Sequence, residues 1–365
     1  MSRALRRLSG RLDAAGPVLA LLAIVLGFAA ASQVKTAYDD HALLSERAAR
    51  RERAGLEAEP VPTRLELLQR TGNRFLTANT FRMTANQTVT IAIAAMGMTM
   101  VIISGGIDLG VGSVIALTSV VTAWCLREGW PILPSVAAGI VMGGVCGAVN
   151  GLAVTRLRVV PFIATLGMWG FARGLAKGIA SEQKIDAPAG WLGTHVLVRV
   201  PDPPWLLVSP GVWIALAVAV LAWLVLRNTP LGRHVYAIGS SEAAARLCGV
   251  RVERTKLVLY TLAGACAGLA GVLQFCRLTV GDPTTAIGTE LDVIAAVVIG
   301  GGSLSGGEGS VAGSLLGALI MAFLRVGSDH VGIPSWVQEM LIGAVIVLAV
   351  AVDQWRRRRS AGSSA

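Results

Sequence analysis

Long apolar runs alternate with short polar ones along almost the whole chain. Apolar stretches lie at about 17–31, 86–104, 107–124, 135–154, 161–180, 210–226, 257–278, 291–302, 310–325 and 336–352. A bilayer crossing needs about 20 mostly apolar residues, and several runs reach that length. With no water in the hydrocarbon to satisfy backbone groups, each run must close its own hydrogen bonds as a helix. The pattern predicts an all-α polytopic membrane protein with about ten transmembrane helices.

The polar segments divide the chain. Residues 1–31 hold an N-terminus with Arg3, Arg6, Arg7 and Arg11 and a first span, read as retained rather than as a cleaved leader. Residues 32–85 form a charged extracytoplasmic insertion, in which LLSERAARRERAGLEAE suggests a short surface helix ended by Pro60 and Pro62. Residues 86–226 make the first half of the membrane domain, 227–256 a basic loop, 257–353 the second half and 354–365 a basic tail. By parity Arg156, Arg158, the 227–256 loop and Arg356–Arg359 fall on one side, which the positive-inside rule makes cytoplasmic. The outer loops are then 125–134, 181–209, 279–290 and 326–335.

Composition agrees with this pattern. Charged residues make up 15% of the 365, against about 25% in soluble domains. The 43 glycines suit close helix packing and broken helices. The net charge of +10 lies mostly in loops and tails, without the interleaved aromatics of a nucleic-acid surface, so nucleic acid is not an expected partner. The five cysteines form no CxxC pair and the four histidines no ligand spacing, so no metal site is expected. No G-x-x-x-x-G-K-[ST] occurs, so the chain is not itself a P-loop ATPase. No catalytic constellation appears, and no enzyme activity is expected.

Four features carry candidate function. The segment Ser240–Gly249 reads as a short cytoplasmic helix: Ser241 can cap it, Glu242 suits its positive end, Arg246 its negative end, and Gly249 its left-handed stop, with Ala243 and Ala244 between. Two turns are too short to persist alone, so a partner must dock there. Second, SGGIDLGVGSVIAL (104–117) echoes IGGGSLSGGEGSVAGSLLGAL (299–319), which suggests two pseudo-repeated halves. The glycine-rich turns, with Gly105, Gly106, Asp108 and Gly112 in one and Gly301, Gly302, Gly306 and Gly307 in the other, are candidate gates. Asp108 reads either as a functional acid or as a cap on the following helix; Glu290 and Asp292 read as capping or surface acids at the outer end of a span. Third, the sparse polar residues Asn86, Gln87, Thr90, Thr165 and Gln274 are candidates for lining a substrate path. Fourth, Arg173, about 18 Å above Pro161 at 1.5 Å per residue, either snorkels outward or lines a polar interior.

The motifs SGGIDLGVGSVIAL, TRLRVVPFIATLGMWGFARGLA, LGRHVYAIGSSEAAARLCGV and ELDVIAAVVIGGGSLSGGEGSVAGSLLGAL resemble the permease subunits of bacterial ABC importers of the ribose/xylose/galactose type. The resemblance runs from about Arg74 to Asp353. It implies a plasma-membrane permease for a monosaccharide such as ribose, paired with a second permease copy, a cytoplasmic ATPase that binds ATP and Mg, and an external binding protein. The chain itself then needs no cofactor. The resemblance also implies that the Ser240–Gly249 helix couples to the ATPase. Residues 32–73 are longer than the family's first loop, and Glu242-Ala243-Ala244 only partly matches the EAA motif of other importers, because Gly249 comes one residue late. The alternatives are a permease for a nucleoside or other small polar solute in the same group, and an ion-coupled secondary transporter, which would want carboxylates deep in the spans.

Overall fold

The computed structural model describes residues 3–54, 60–70, 75–197 and 207–362. Its helices are α1 (Arg3–Arg53), α2 (Arg64–Arg70), α3 (Ala78–Ile103), α4 (Val111–Arg127), α5 (Ile132–Thr155), α6 (Pro161–Ile179), α7 (Pro210–Asn228), α8 (Pro230–Ser240), α9 (Glu242–Leu247), α10 (Val252–Leu278), α11 (Thr289–Ile299), α12 (Val311–Val331) and α13 (Ser335–Gly362). Strand structure among the described residues is limited to Ile185–Asp186 paired antiparallel with Val280–Gly281. The protein is an all-α polytopic membrane protein. Six helices, α1, α3, α5, α7, α10 and α12, are long and apolar enough to cross a bilayer, and α4 and α13 carry shorter apolar stretches. The predicted span at 291–302 is instead the 11-residue α11, about 16 Å long and half a membrane deep.

α3 is the axis of the bundle. Every residue from Thr88 to Ser104 is buried, as expected of a helix apolar on all sides. α10, α12, α7 and α11 pack around it. Outside α10 lies α5, whose Gly139, Gly143, Gly147 and Gly151 repeat every four residues and so share one face. That face meets Tyr260, Gly264 and Gly268 of α10 so closely that a methyl at Gly147 would sit 2.0 Å from the Tyr260 carbonyl oxygen. Small residues let the two backbones touch where lipid offers no hydrophobic drive.

The segment after α10 departs from the expected outer loop at 279–290. Gly281 packs on Val120 and Ala123 near the end of α4, while Ala286 and Glu290 lie against Gly112 at its start. Residues 281–290 therefore run back along α4 for about 16 Å before and into the first turn of α11. Non-helical backbone at that depth needs partners from the protein. Arg173 of α6 supplies them, donating to the Pro283 and Thr285 carbonyls at 2.8 and 2.7 Å. Arg173 thus lines the interior rather than snorkelling outward. The placement of Glu290 and Asp292 at a wet span end is likewise corrected. Asp292 is 2% exposed, and its Oδ2 accepts from Arg325 Nε and Nη2 at 2.9 and 2.5 Å. Pro283 with its neighbouring threonines reads as loop in the sequence, and the buried Arg173, with Gln274 on Thr285, explains why it can re-enter the bundle.

α1 passes residue 32 without a break and continues to Arg53. The Ala-, Glu- and Arg-rich sequence there consists of good helix formers, and Pro60 is the first proline after Pro17. The part beyond residue 32 is about 30 Å of helix, so the predicted short surface helix is an extension of the first one. Phe28 of α1 lies over Gly327 of α12 and against Phe75. Farther along, Gln33 Nε2 donates to the Leu68 carbonyl of α2 at 3.0 Å.

Candidate functional site

The polar loop between α7 and α10 folds into an arm of two helices. Pro230, whose fixed φ suits a first turn, opens α8, and the Thr229 hydroxyl accepts the Gly232 N–H at 3.3 Å. Ser241, in extended conformation, breaks the path and caps α9 by accepting the Ala244 N–H at 3.3 Å. Gly249 closes it at φ +82°, and the Val250 N–H donates to the Ala245 carbonyl at 3.0 Å, the glycine-ended arrangement that satisfies the last carbonyls. Ala245 packs with Ile238 and Val252. Ala243, Ala244, Arg246 and Leu247 face outward, and Leu247 is 91% exposed.

The two acids of the 227–256 loop are both paired within it. Glu242 pairs with Arg246 at 2.9 Å and with Lys256 at 2.7 Å, and Arg246 also pairs with Glu253. The hydrogen bond from Lys256, then that from Arg246, holds the Glu242 carboxyl below its ordinary range. These bonds set the angle between α9 and α10, and Leu247 remains the apolar group with nothing of its own chain over it.

α8 also touches both glycine-rich turns. At Gly239 a methyl would lie 1.8 Å from the Ile103 carbonyl oxygen and 2.4 Å from the Gly307 nitrogen. The Gly307 N–H donates to that same Ile103 carbonyl at 2.8 Å, and Tyr236 Oη donates to the Gly309 carbonyl at 2.9 Å. Gly306 sits against Gly105. The two turns, distant in sequence, therefore form one knot with the arm. Gly105, Gly301, Gly306 and Gly307 all have φ between +79° and +89°, a region that favours glycine. Gly106 packs on the Tyr260 hydroxyl and Gly302 on Val297. Gly112 faces Glu290 and the re-entrant stretch instead of the knot. Asp108 is buried, and its Oδ1 accepts the Gly110 N–H at 2.8 Å, bracing the turn ahead of α4 without capping the helix itself.

The path candidates separate. Thr165 belongs to the first turn: its hydroxyl accepts the Leu109 N–H at 3.1 Å and lies 3.2 Å from the Ile107 carbonyl, which it can donate to. Asn86 Oδ1 accepts from Ser209 Oγ at 2.5 Å. Gln87, Thr90 and Gln274 come together on a cavity of about 210 Å³ beside the re-entrant stretch. There Thr90 Oγ1 donates to Gln274 Oε1 at 3.4 Å, and Gln274 Nε2 donates to Thr285 Oγ1 at 2.8 Å. Arg277, Asp292 and Arg325 share the lining; the sequence reading took Asp292 for a capping or surface acid and singled out neither arginine. The signal was a lone arginine at 325 close behind the apolar run LLGALIMAFL; it reads as a span end until α12 continues to Val331. No cluster of three metal-ligating side chains occurs among the described residues.

Comparison with known proteins bears on this arrangement. A family model described as the branched-chain amino acid transport system / permease component matches residues 81–350. The ribose import permease of Escherichia coli (strain K12) is 42% identical over 286 residues, covering 76% of this chain and 87% of that one. The fructose import permease of Rhizobium meliloti is 36% identical over 298 residues, 80% of this chain and 82% of that one. The ribose import permease of Bacillus subtilis (strain 168) is 39% identical over 270 residues, 74% and 82% of the two chains. No solved structure matches. The chain belongs to the permease family of ABC importers, in company with members named for the import of sugars.

Proposed function

We propose that this chain is the membrane subunit of a bacterial plasma-membrane importer that takes up a monosaccharide such as ribose, driven by a partner ATPase. The reading rests on one observation above all. A capped two-helix arm presents an exposed leucine, and the same arm is locked by backbone contact to both glycine-rich turns. An ATPase dimer that binds ATP and Mg would grip α9. Its closing would move α8 and, through Gly239, the ends of α3 and α11 together. The bundle would thereby open alternately to either side.

In this reading the chain crosses the membrane about ten times, with α11 and its re-entrant stretch counting as one element. The arm and the tail face the cytoplasm. A second copy of the chain completes the pathway, and an external binding protein delivers the sugar. The relatives named for ribose, fructose and arabinose support the substrate class. The pairing of Asp292 with Arg325 weighs against an ion-coupled carrier, because the buried acid already has its counter-charge.

The test uses Leu247, which is 91% exposed. In a mild-detergent pull-down, Leu247→Asp lowers recovery of the ATPase at least tenfold while the permease stays monodisperse. Undiminished recovery would remove α9 as the docking element.

A further inference from the structure

We infer that the cavity between α3, α10, α11 and α12 is a transient site for one neutral monosaccharide, held by Arg277, Asp292 and the Gln87–Gln274 amides. The inference rests on the importer reading and locates where in the chain the sugar pauses.

Three observations converge on the cavity. Its volume, about 210 Å³, is below the roughly 300–1,000 Å³ of pockets for drug-sized ligands and suits a single sugar ring. Its place is also distinctive. Gln87 lies nine residues, about 14 Å, into α3, and Asp292 lies in the first turn of the half-helix α11. Transporters commonly set their sites beside such interrupted helices near the middle of the bilayer.

The third observation is a set of unused polar groups. Asp292 is 2% exposed, and while Oδ2 takes both bonds from Arg325, Oδ1 is buried and has no hydrogen-bond partner among the described residues. An unpaired carboxylate oxygen in such a setting is costly unless something completes it. Arg277 lines the same cavity and makes no hydrogen bond or ion pair among the described residues. The cavity therefore offers a buried, unpaired acceptor in Asp292 and an exposed donor in Arg277 at the end of α10, with Gln87 able to serve as either.

A sugar hydroxyl donates and accepts at once, so a polyol satisfies both ends. A rigid anion would meet Asp292, and an apolar solute would leave both groups unpaired. Arg325 is already neutralised, so the lining carries only the one free cation among its described charges. This matches a neutral polar ligand held weakly enough to leave.

The test is coupled uptake by the complete complex of permease, ATPase and binding protein in proteoliposomes. Radiolabelled D-ribose, D-fructose and L-arabinose serve as probes. The readout is the number of sugar molecules carried per ATP hydrolysed. Arg277→Gln lowers that ratio at least fivefold, and the conservative Arg277→Lys returns it to within twofold of the original. A merely structural loss would slow transport and hydrolysis together and leave the ratio where it was. An unchanged ratio in Arg277→Gln, with the unaltered complex transporting a probe, overturns the site alone. Absence of uptake of all three sugars by the unaltered complex overturns the monosaccharide reading and the site with it.

Discussion

The turn at 104–110 and the turn at 300–310 each follow a buried helix, and each leads through Gly-Ser-Val into another. Their supports differ. The first has one glycine at positive φ, Gly105, and is held sideways to α6 by Thr165. The second has Gly301, Gly306, Gly307 and Gly309 at positive φ and lies on α8, with Tyr236 bonded to Gly309. The helices that leave the turns differ too. α12 starts on Ser310, whose hydroxyl accepts the Gly313 N–H at 3.1 Å, whereas the equivalent Ser113 is buried inside α4 with no partner for its hydroxyl among the described residues. One sequence signature thus serves a turn braced against α6 and a turn seated on α8. Similar backbone chemistry permits both, and the neighbours decide which is which.

The largest break comes from Gly239, the residue both turns share. Gly239→Val drives a branched side chain into the Ile103 carbonyl, and overpacking of this kind costs about 3 kcal/mol or more. The thermal midpoint of the detergent-purified protein should fall by several degrees and uptake should be lost. A midpoint within a degree of the original would mean the knot does not hold the two turns together.

Intermediate effects should separate the turns. Thr165→Val leaves the Leu109 N–H without its acceptor, at a cost of about 1–3 kcal/mol. Gly307→Ala forces a side chain into the left-handed region, at about 1–2 kcal/mol. Turns that act as one body give a non-additive double mutant. Summation to within about 0.3–0.5 kcal/mol would show two independent turns.

The smallest effect tests the capping difference. Ser310→Ala should cost about 1 kcal/mol, the usual loss at an N-cap, while Ser113→Ala should cost less or stabilise slightly, since it removes an unpartnered hydroxyl. Equal losses at both positions in thermal melts would erase the distinction.

Much of this was legible in the sequence because helix chemistry is local. The apolar runs, the capping Ser241, the stop at Gly249 and the glycine turns each depend on residues within a few positions. The spacing of Gly143 and Gly147 likewise announces a close helix contact. What escaped depends on distance along the chain. Arg173 and Thr285 are 112 positions apart, and without their bond the stretch at 281–290 has every mark of a surface loop. Asp292 looks like a wet acid until Arg325 arrives from another helix. Of the five polar path candidates, Gln87, Thr90 and Gln274 share a cavity, Thr165 braces the backbone of the first turn, and Asn86 pairs with the Ser209 side chain.

The re-entrant stretch also constrains how the protein is made. A helix that spans the bilayer by itself needs about 20 apolar residues, and α11 with its polar lead-in offers no such segment. It has to be drawn in by a bundle already standing. α4 and α6 are synthesised well before it, and Arg173 must wait in that half-built assembly with its hydrogen bonds unmade until Pro283 and Thr285 emerge. Biogenesis therefore contains a late step that belongs to this one segment. A chain stalled before it would leave the buried Arg173 guanidinium without the two carbonyls it donates to.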